Sequence, residues 1–175
     1  MANRTSENPW VLDTDGIVKT LPVMVKYMKF VPNAVTDTAL IRHWNPNSNK
    51  STQEQVSCTV TSAKTITSTG AFVTANVAAG DIIEITASST GNNVGTYLVE
   101  SRDSDNAITI HDDNLTNEAT KLYNFNIYTG RVFHEFLVSE DSIIPDIFDP
   151  YGYQVTNQGF AVDSISESAT IYVYV

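Results

Sequence analysis

The sequence predicts an all-β protein: an antiparallel β-sandwich or jelly-roll-like host domain with a small β-barrel or sandwich module inserted into it. Three observations predict this. No long segment repeats its apolar positions with the period of a helix. Short alternating runs separated by Gly, Asn and Asp fill residues 61–119, at the spacing of a small antiparallel barrel or sandwich. Hydrophobic residues make up 42% of the chain and charged residues only 17%, so the polar surface falls largely to Thr, Ser and Asn, which suit exposed strand faces.

The 175 residues suffice for one ordinary domain or two small ones. Residues 1–9 are polar, end in Pro9, and read as an N-terminal arm or flexible tail. They contain no apolar stretch of the secretory type. Trp10 opens "WVLDTDGIVKTLP", where Asp15-Gly16 between apolar runs signals a hairpin. "VMVKYMKFVP" has apolar residues on both strand faces and is expected to be covered on both sides, with Pro22 and Pro32 arguing against a helix. "TALIRHWN" reads as a strand and "NPNSNKSTQ" as a loop, after which "EQVSCTVTSAKTITST" resumes β character.

Within residues 61–119 the runs "KTITS", "AFVTA", "DIIEITA", "GTYLVES" and "NAITIHD" each read as a strand. In "GNNVGTYLVE" (91–100) the glycines and the Asn pair tolerate positive φ. Strand sequence follows, not a helix start, so the stretch reads as a hairpin turn and not a phosphate loop. "KLYNFNIYTG" puts Leu122, Asn124 and Asn126 on one face and Tyr123, Phe125 and Ile127 on the other. "RVFHEFLV", the Pro-broken "SIIPDIFDPYGYQV", "GFAVDSI" and "ATIYVYV" complete the pattern. The last of these must pair within the fold or with a neighbour, or leave an open apolar edge. Residues 10–60 plus 120–175 are thus the expected host, and 61–119 the insert.

Charge and motifs narrow the function. A net charge of −10 repels phosphate backbones and argues against a nucleic-acid partner, while Lys26 and Lys29 are too few for a basic groove. No stretch has the length of a membrane span. The single cysteine, Cys58, cannot form an intrachain disulfide and reads as a small apolar core residue.

"VLDTDGIV" resembles the first motif of haloacid-dehalogenase phosphatases, with Asp13 as nucleophile and Asp15 as acid, and "GDIIE" would supply Asp81 and Glu84. That chemistry needs a parallel sheet flanked by helices, which the sequence does not provide. "DTDG" and "HDDN" (111–114) are fragments of cation loops, without the full set of oxygens calcium requires. His43, His111 and His134 lack zinc spacing. No catalytic, metal or cofactor site is expected, and the protein is read as non-enzymatic.

The opening "NPWVLDTDGIVKTLPVMVKYMKFVP" resembles that of small all-β structural proteins of tailed bacteriophages. The closing "ATIYVYV" is similar to their terminal Thr-x-Tyr-Val-Tyr strand, and "AAGDIIEITASSTGNNVGTYLVESRDSDNAITI" to a β-module of phage tail and capsid-surface proteins. The resemblance implies a capsid decoration or cement protein of the virion, assembled in the host cytoplasm. Such a protein binds the major capsid protein and forms a homo-oligomer, with a trimer favoured. The expected contact residues are Trp10, Phe148, Tyr151, Tyr153, Tyr172 and Tyr174, because aromatic side chains anchor interfaces. A tail or head–tail junction component is the alternative. A further one is a carbohydrate-binding module stacking sugars on Trp44, Tyr97, Tyr151 and Tyr153.

Overall fold

The computed structural model describes residues 3–6, 8–20, 23–25, 27–34, 36–61, 63–111, 115–137, 153–155 and 159–175. In chain order the strands are β1 (Trp10–Leu12), β2 (Gly16–Lys19), β3 (Val23–Val25), β4 (Tyr27–Val31), β5 (Thr38–Trp44), β6 (Asn49–Val60) and β7 (Thr65–Thr67). A one-turn helix α1 (Ala71–Thr74) follows. Then come β8 (Ile82–Ser88), β9 (Gly95–Ser104), β10 (Ala107–Ile110), β11 (Glu118–Tyr128), β12 (Arg131–Leu137), β13 (Tyr153–Val155), β14 (Gly159–Ile165) and β15 (Thr170–Tyr174). The protein is all-β and antiparallel, as the sequence predicts.

The chain divides into two units. The first joins Met1–His43 to Val132–Val175, and the second is the continuous stretch Trp44–Arg131. The second is wider than the 61–119 insert expected from the turn spacing. β6 and β11, read as host strands, pair with each other from Asn49 to Val60, and β11 pairs on its other side with β8. Both are therefore barrel staves.

The first unit is a sandwich. A sheet of order β1-β15-β4 and one of order β12-β5-β14-β2 contribute to a single core, and β3 pairs with β13. Trp10, Leu12, Met28, Phe30, Ile171 and Val173 enter that core from the first sheet, and Ala39, Ile41, Phe160 and Val162 from the second. Each fully buried large side chain contributes about 1.5–3 kcal/mol. The Lys19 ammonium stands 5.6 Å from the Trp10 ring centroid, a cation–π contact.

The sequence reading differs from this unit in three places. Asp15-Gly16 is not a hairpin: β1 pairs with β15, β2 pairs with β14, and the turn carries the chain from one sheet to the other, with Gly16 at φ 115. β4 is covered on one side only. Met28 and Phe30 are buried while Lys29 and Val31 are exposed. Of the outcomes open to "ATIYVYV", pairing within the fold is the one realised: β15 is a central strand, hydrogen-bonded to β1 and to β4. The N-terminal stretch is fastened down by its asparagines, whose side chains mimic strand partners. Asn3 Oδ1 accepts from the Asp13 and Thr14 N–H groups at 3.0 and 3.2 Å, Arg4 and Val11 exchange main-chain bonds of 2.9 Å, and Asn8 Nδ2 donates to the Val175 carbonyl at 3.0 Å.

The second unit is a closed barrel of order β10-β7-β6-β11-β8-β9. The face that the sequence assigns to Tyr123, Phe125 and Ile127 points inward, beside Ile83, Ile85, Val99 and Ile108. "AFVTA" is α1 and not a strand. Gly70 enters it in the left-handed region (φ 71), and the turn drops Phe72 into the barrel, stacked 6.1 Å from Phe125. β6 begins at Asn49, inside the stretch read as loop, because a strand exposed along its first turns needs no apolar alternation.

Candidate functional site

Two features stand out: an aromatic face on the sandwich and a polar lock in the barrel. In the β1-β15-β4 sheet, Ile171 and Val173 point into the core, so alternation turns Tyr172 and Tyr174 to the other face. Tyr172 lies between Val11 of β1 and Lys29 of β4, and Tyr174 is opposite Tyr27. Both tyrosines are half-buried, Lys29 is exposed, and Val31 at the same edge is 37% exposed.

The other predicted contact residues fall differently. Trp10 is 5% exposed, so its indole is committed to the sandwich core. Tyr153 lies in β13 opposite Val25. Phe148 and Tyr151 lie outside the described residues. Of the aromatics considered for sugar stacking, Trp44 and Tyr97 are both buried, and neither offers an open ring face.

The barrel lock was not foreseen. Glu118, at the start of β11, is 7% exposed. Its carboxylate accepts hydrogen bonds from the Thr90 and Tyr123 hydroxyls, from Asn92 Nδ2 at 3.1 Å and from Asn93 Nδ2 at 3.2 Å. Burial works to raise the Glu118 carboxyl, but the bonds from Thr90, Tyr123, Asn92 and Asn93 outweigh it and hold the group below its ordinary value. Tyr123 is pushed up to about 12 by burial and by the same carboxylate. The Asn92-Asn93 pair therefore does more than permit a turn. Gly91 and Asn93 take the positive φ values of 80 and 57, and Asn93 also receives the Thr116 N–H at 2.7 Å and the Tyr97 hydroxyl at its carbonyl. β8 and β9 form the hairpin the sequence predicts.

The acidic residues flagged by the phosphatase-like motifs have other partners. Asp81 receives Lys50 Nζ at 2.7 Å and the Ala78 N–H at 2.9 Å. Glu84 accepts from the Tyr128 hydroxyl at 2.6 Å and Asn126 Nδ2 at 3.3 Å, and Tyr128 is pushed up to about 12 by burial and by that carboxylate. Asp13 has Arg4 Nη2 at 3.9 Å. Among the described residues no group of three or more His, Cys, Asp or Glu could hold a metal ion. His43 packs edge-on to Phe133 at 5.8 Å, and Cys58 is buried, its thiol pushed up to about 11 by burial. Among those residues no helix is long and apolar enough to cross a membrane.

Asp37 closes the β4–β5 connection. The N–H groups of Asn33 and Ala34 reach its carboxylate at 2.7 and 2.9 Å and hold it below its ordinary value. The Asn-x-x-x-Asp spacing of residues 33–37 could have hinted at such a loop lock, but nothing in the sequence near Glu118 singles out a buried carboxylate.

Together these features define an all-β protein of two antiparallel units whose described polar clusters brace connections between strands. No family model, curated protein or solved structure matches the chain.

Proposed function

We propose that the chain is a non-enzymatic structural protein of a tailed-phage virion: a capsid decoration or cement protein that binds the major capsid protein as a homo-oligomer. The observation that carries this reading is the outward tyrosine pair of β15. Tyr172 and Tyr174 stand on a strand held on both sides, so the ring positions are set by the sheet before any partner arrives. Preorganised aromatics lose little entropy on binding and are enriched where interfaces derive their energy. Lys29 and Val31 beside them supply a charge and an apolar edge to the same face. The resemblance of "NPWVLDTDG" and "ATIYVYV" at the two ends to phage structural proteins points the same way.

The test is attachment to heads that lack the protein. Wild-type chain is expected to saturate them at a fixed copy number, and the Tyr172→Ala/Tyr174→Ala double variant to bind at least tenfold more weakly with its thermal unfolding little changed. Binding to tails alone would favour the junction reading. Equal binding by the double variant would remove this face from the interface.

A further inference from the structure

The two edges of β6 are unequally covered. Its ladder with β11 runs from Asn49 to Val60, whereas its ladder with β7 holds only Thr59 and Val60. β7 stops at Thr67, and the chain turns away into α1 through Gly70. Among the described residues no strand pairs with that second edge from Asn49 to Cys58.

A groove of about 370 Å³ reaches this edge, walled by Val56 and Ser57 of β6 and by Thr67, Ser68, Thr69 and Asn106, and it extends across β6 to Thr59 and to Thr120 of β11. The register Thr59↔Thr67 would set a longer β7 opposite Ser57 and Val56, so one end of the groove covers the line β7 abandons. Asn106 uses its side-chain oxygen on the Gly70 N–H at 2.7 Å, which leaves its amide hydrogens for another acceptor.

Three properties identify the occupant. Every residue lining the groove is uncharged, in a chain of net charge −10. An exposed strand edge offers main-chain donors and acceptors in a row, which an extended backbone matches. Gln55 at φ 53 puts its N–H on Asn124 Oδ1 at 2.8 Å and so bulges β6, which bars a long flat strand. An added strand needs about 4.8 Å of lateral spacing and about 3.4 Å per residue, so the groove admits a short segment.

We propose that this groove receives a short, extended, uncharged peptide segment of a partner protein, which joins β6 as an antiparallel strand alongside Val56 and Ser57. Main-chain pairing supplies the recognition, and the hydroxyl-lined wall selects against charged side chains. This holds whether or not the partner is a capsid protein.

The probe is an acetylated, amidated peptide of alternating Thr and Val, titrated into ¹⁵N-labelled full-length chain. Shifts are expected at the amides of β6 near Ser57 and at Thr67 to Thr69, with slowed hydrogen exchange along that edge. The same peptide N-methylated at alternate amides is expected to bind at least tenfold more weakly. Thr69→Lys, an exposed position, is expected to weaken binding similarly with unchanged thermal unfolding. The proposal is overturned if the unmethylated peptide shifts nothing, if both peptides bind equally, or if Thr69→Lys has no effect. It is also overturned if sedimentation shows that these amides respond to self-association, or if a neutral oligosaccharide shifts them and the peptide does not.

Discussion

Asn93 donates from its side-chain amide to the Glu118 carboxylate at 3.2 Å, tying the tip of the β8–β9 connection to the first residue of β11. Strands adjacent in the barrel are thereby joined by a side-chain link as well as by their ladder. Of the four donors the carboxylate gathers, the Tyr123 hydroxyl is buried, so removing the carboxylate strands that one in full and costs the partly buried Asn93 its bond, while the exposed Thr90 and Asn92 turn to water. A buried donor left without its acceptor costs about 1–3 kcal/mol. Glu118→Ala is expected to lose about 3 kcal/mol of stability and Glu118→Gln about half of that, measured by urea denaturation. A Glu118→Ala variant as stable as wild type would show that the lock is ornamental.

The turn itself can be tested apart from its side chains. Gly91 sits at φ 80, and a Cβ added there meets nothing within 4 Å. Gly91→Ala should therefore register backbone strain alone, about 1–2 kcal/mol. Equal stability of the two proteins in denaturation would mean that the turn relaxes out of the left-handed region.

Stability should fall at both ends of the pH scale, for opposite reasons. Glu118 and Asp37 are held below their ordinary values of 4.5 and 3.8, so the folded state takes up their protons later than the unfolded chain does. Their contribution is whole above those values and is lost as pH falls through the folded ones. Tyr123 and Tyr128 are raised to about 12, so theirs is whole below the ordinary value of 10 and lost as pH rises through about 12. Unfolding free energy measured against pH should show both declines, and Glu118→Gln should flatten the acid one. An unchanged acid limb in that variant would rule out Glu118 as its source.

Cys58 should be inert in the folded protein. Its thiol is buried and pushed up to about 11, and only the thiolate attacks a disulfide reagent. Reaction with an aromatic disulfide at pH 8 is expected to be slow until denaturant is added. Rapid modification of native protein would place the thiol at the surface.

What the sequence revealed was what depends on local pattern. The alternation in "KLYNFNIYTG" oriented Tyr123, Phe125 and Ile127 correctly, and the glycines of "GNNVG" marked a real hairpin. What it hid depends on distant partners. Asp15-Gly16 has ideal hairpin chemistry, yet β1 and β2 pair with β15 and β14 from the far end of the chain. "ATIYVYV" had to pair with some strand, but its two neighbours, β1 and β4, lie more than a hundred residues away, where local pattern does not name them. "AFVTA" is too short for periodicity to tell a strand from a turn of helix, and the barrel's need for Phe72 decides it. Glu118 looks like any strand carboxylate until Thr90, Asn92, Asn93 and Tyr123 converge on it. Of the expected contact residues, Tyr172 and Tyr174 face outward, whereas the indole of Trp10 is used by the core.

The central claim is that this chain is a building part of a virion head. An image reconstruction of purified particles tests it most directly. The account predicts density for both units on the outer surface of the capsid, repeated at local three-fold positions, with the β1-β15-β4 face and its Tyr172 and Tyr174 against the shell. Density confined to a tail ring, or particles that carry none of the protein, would contradict it.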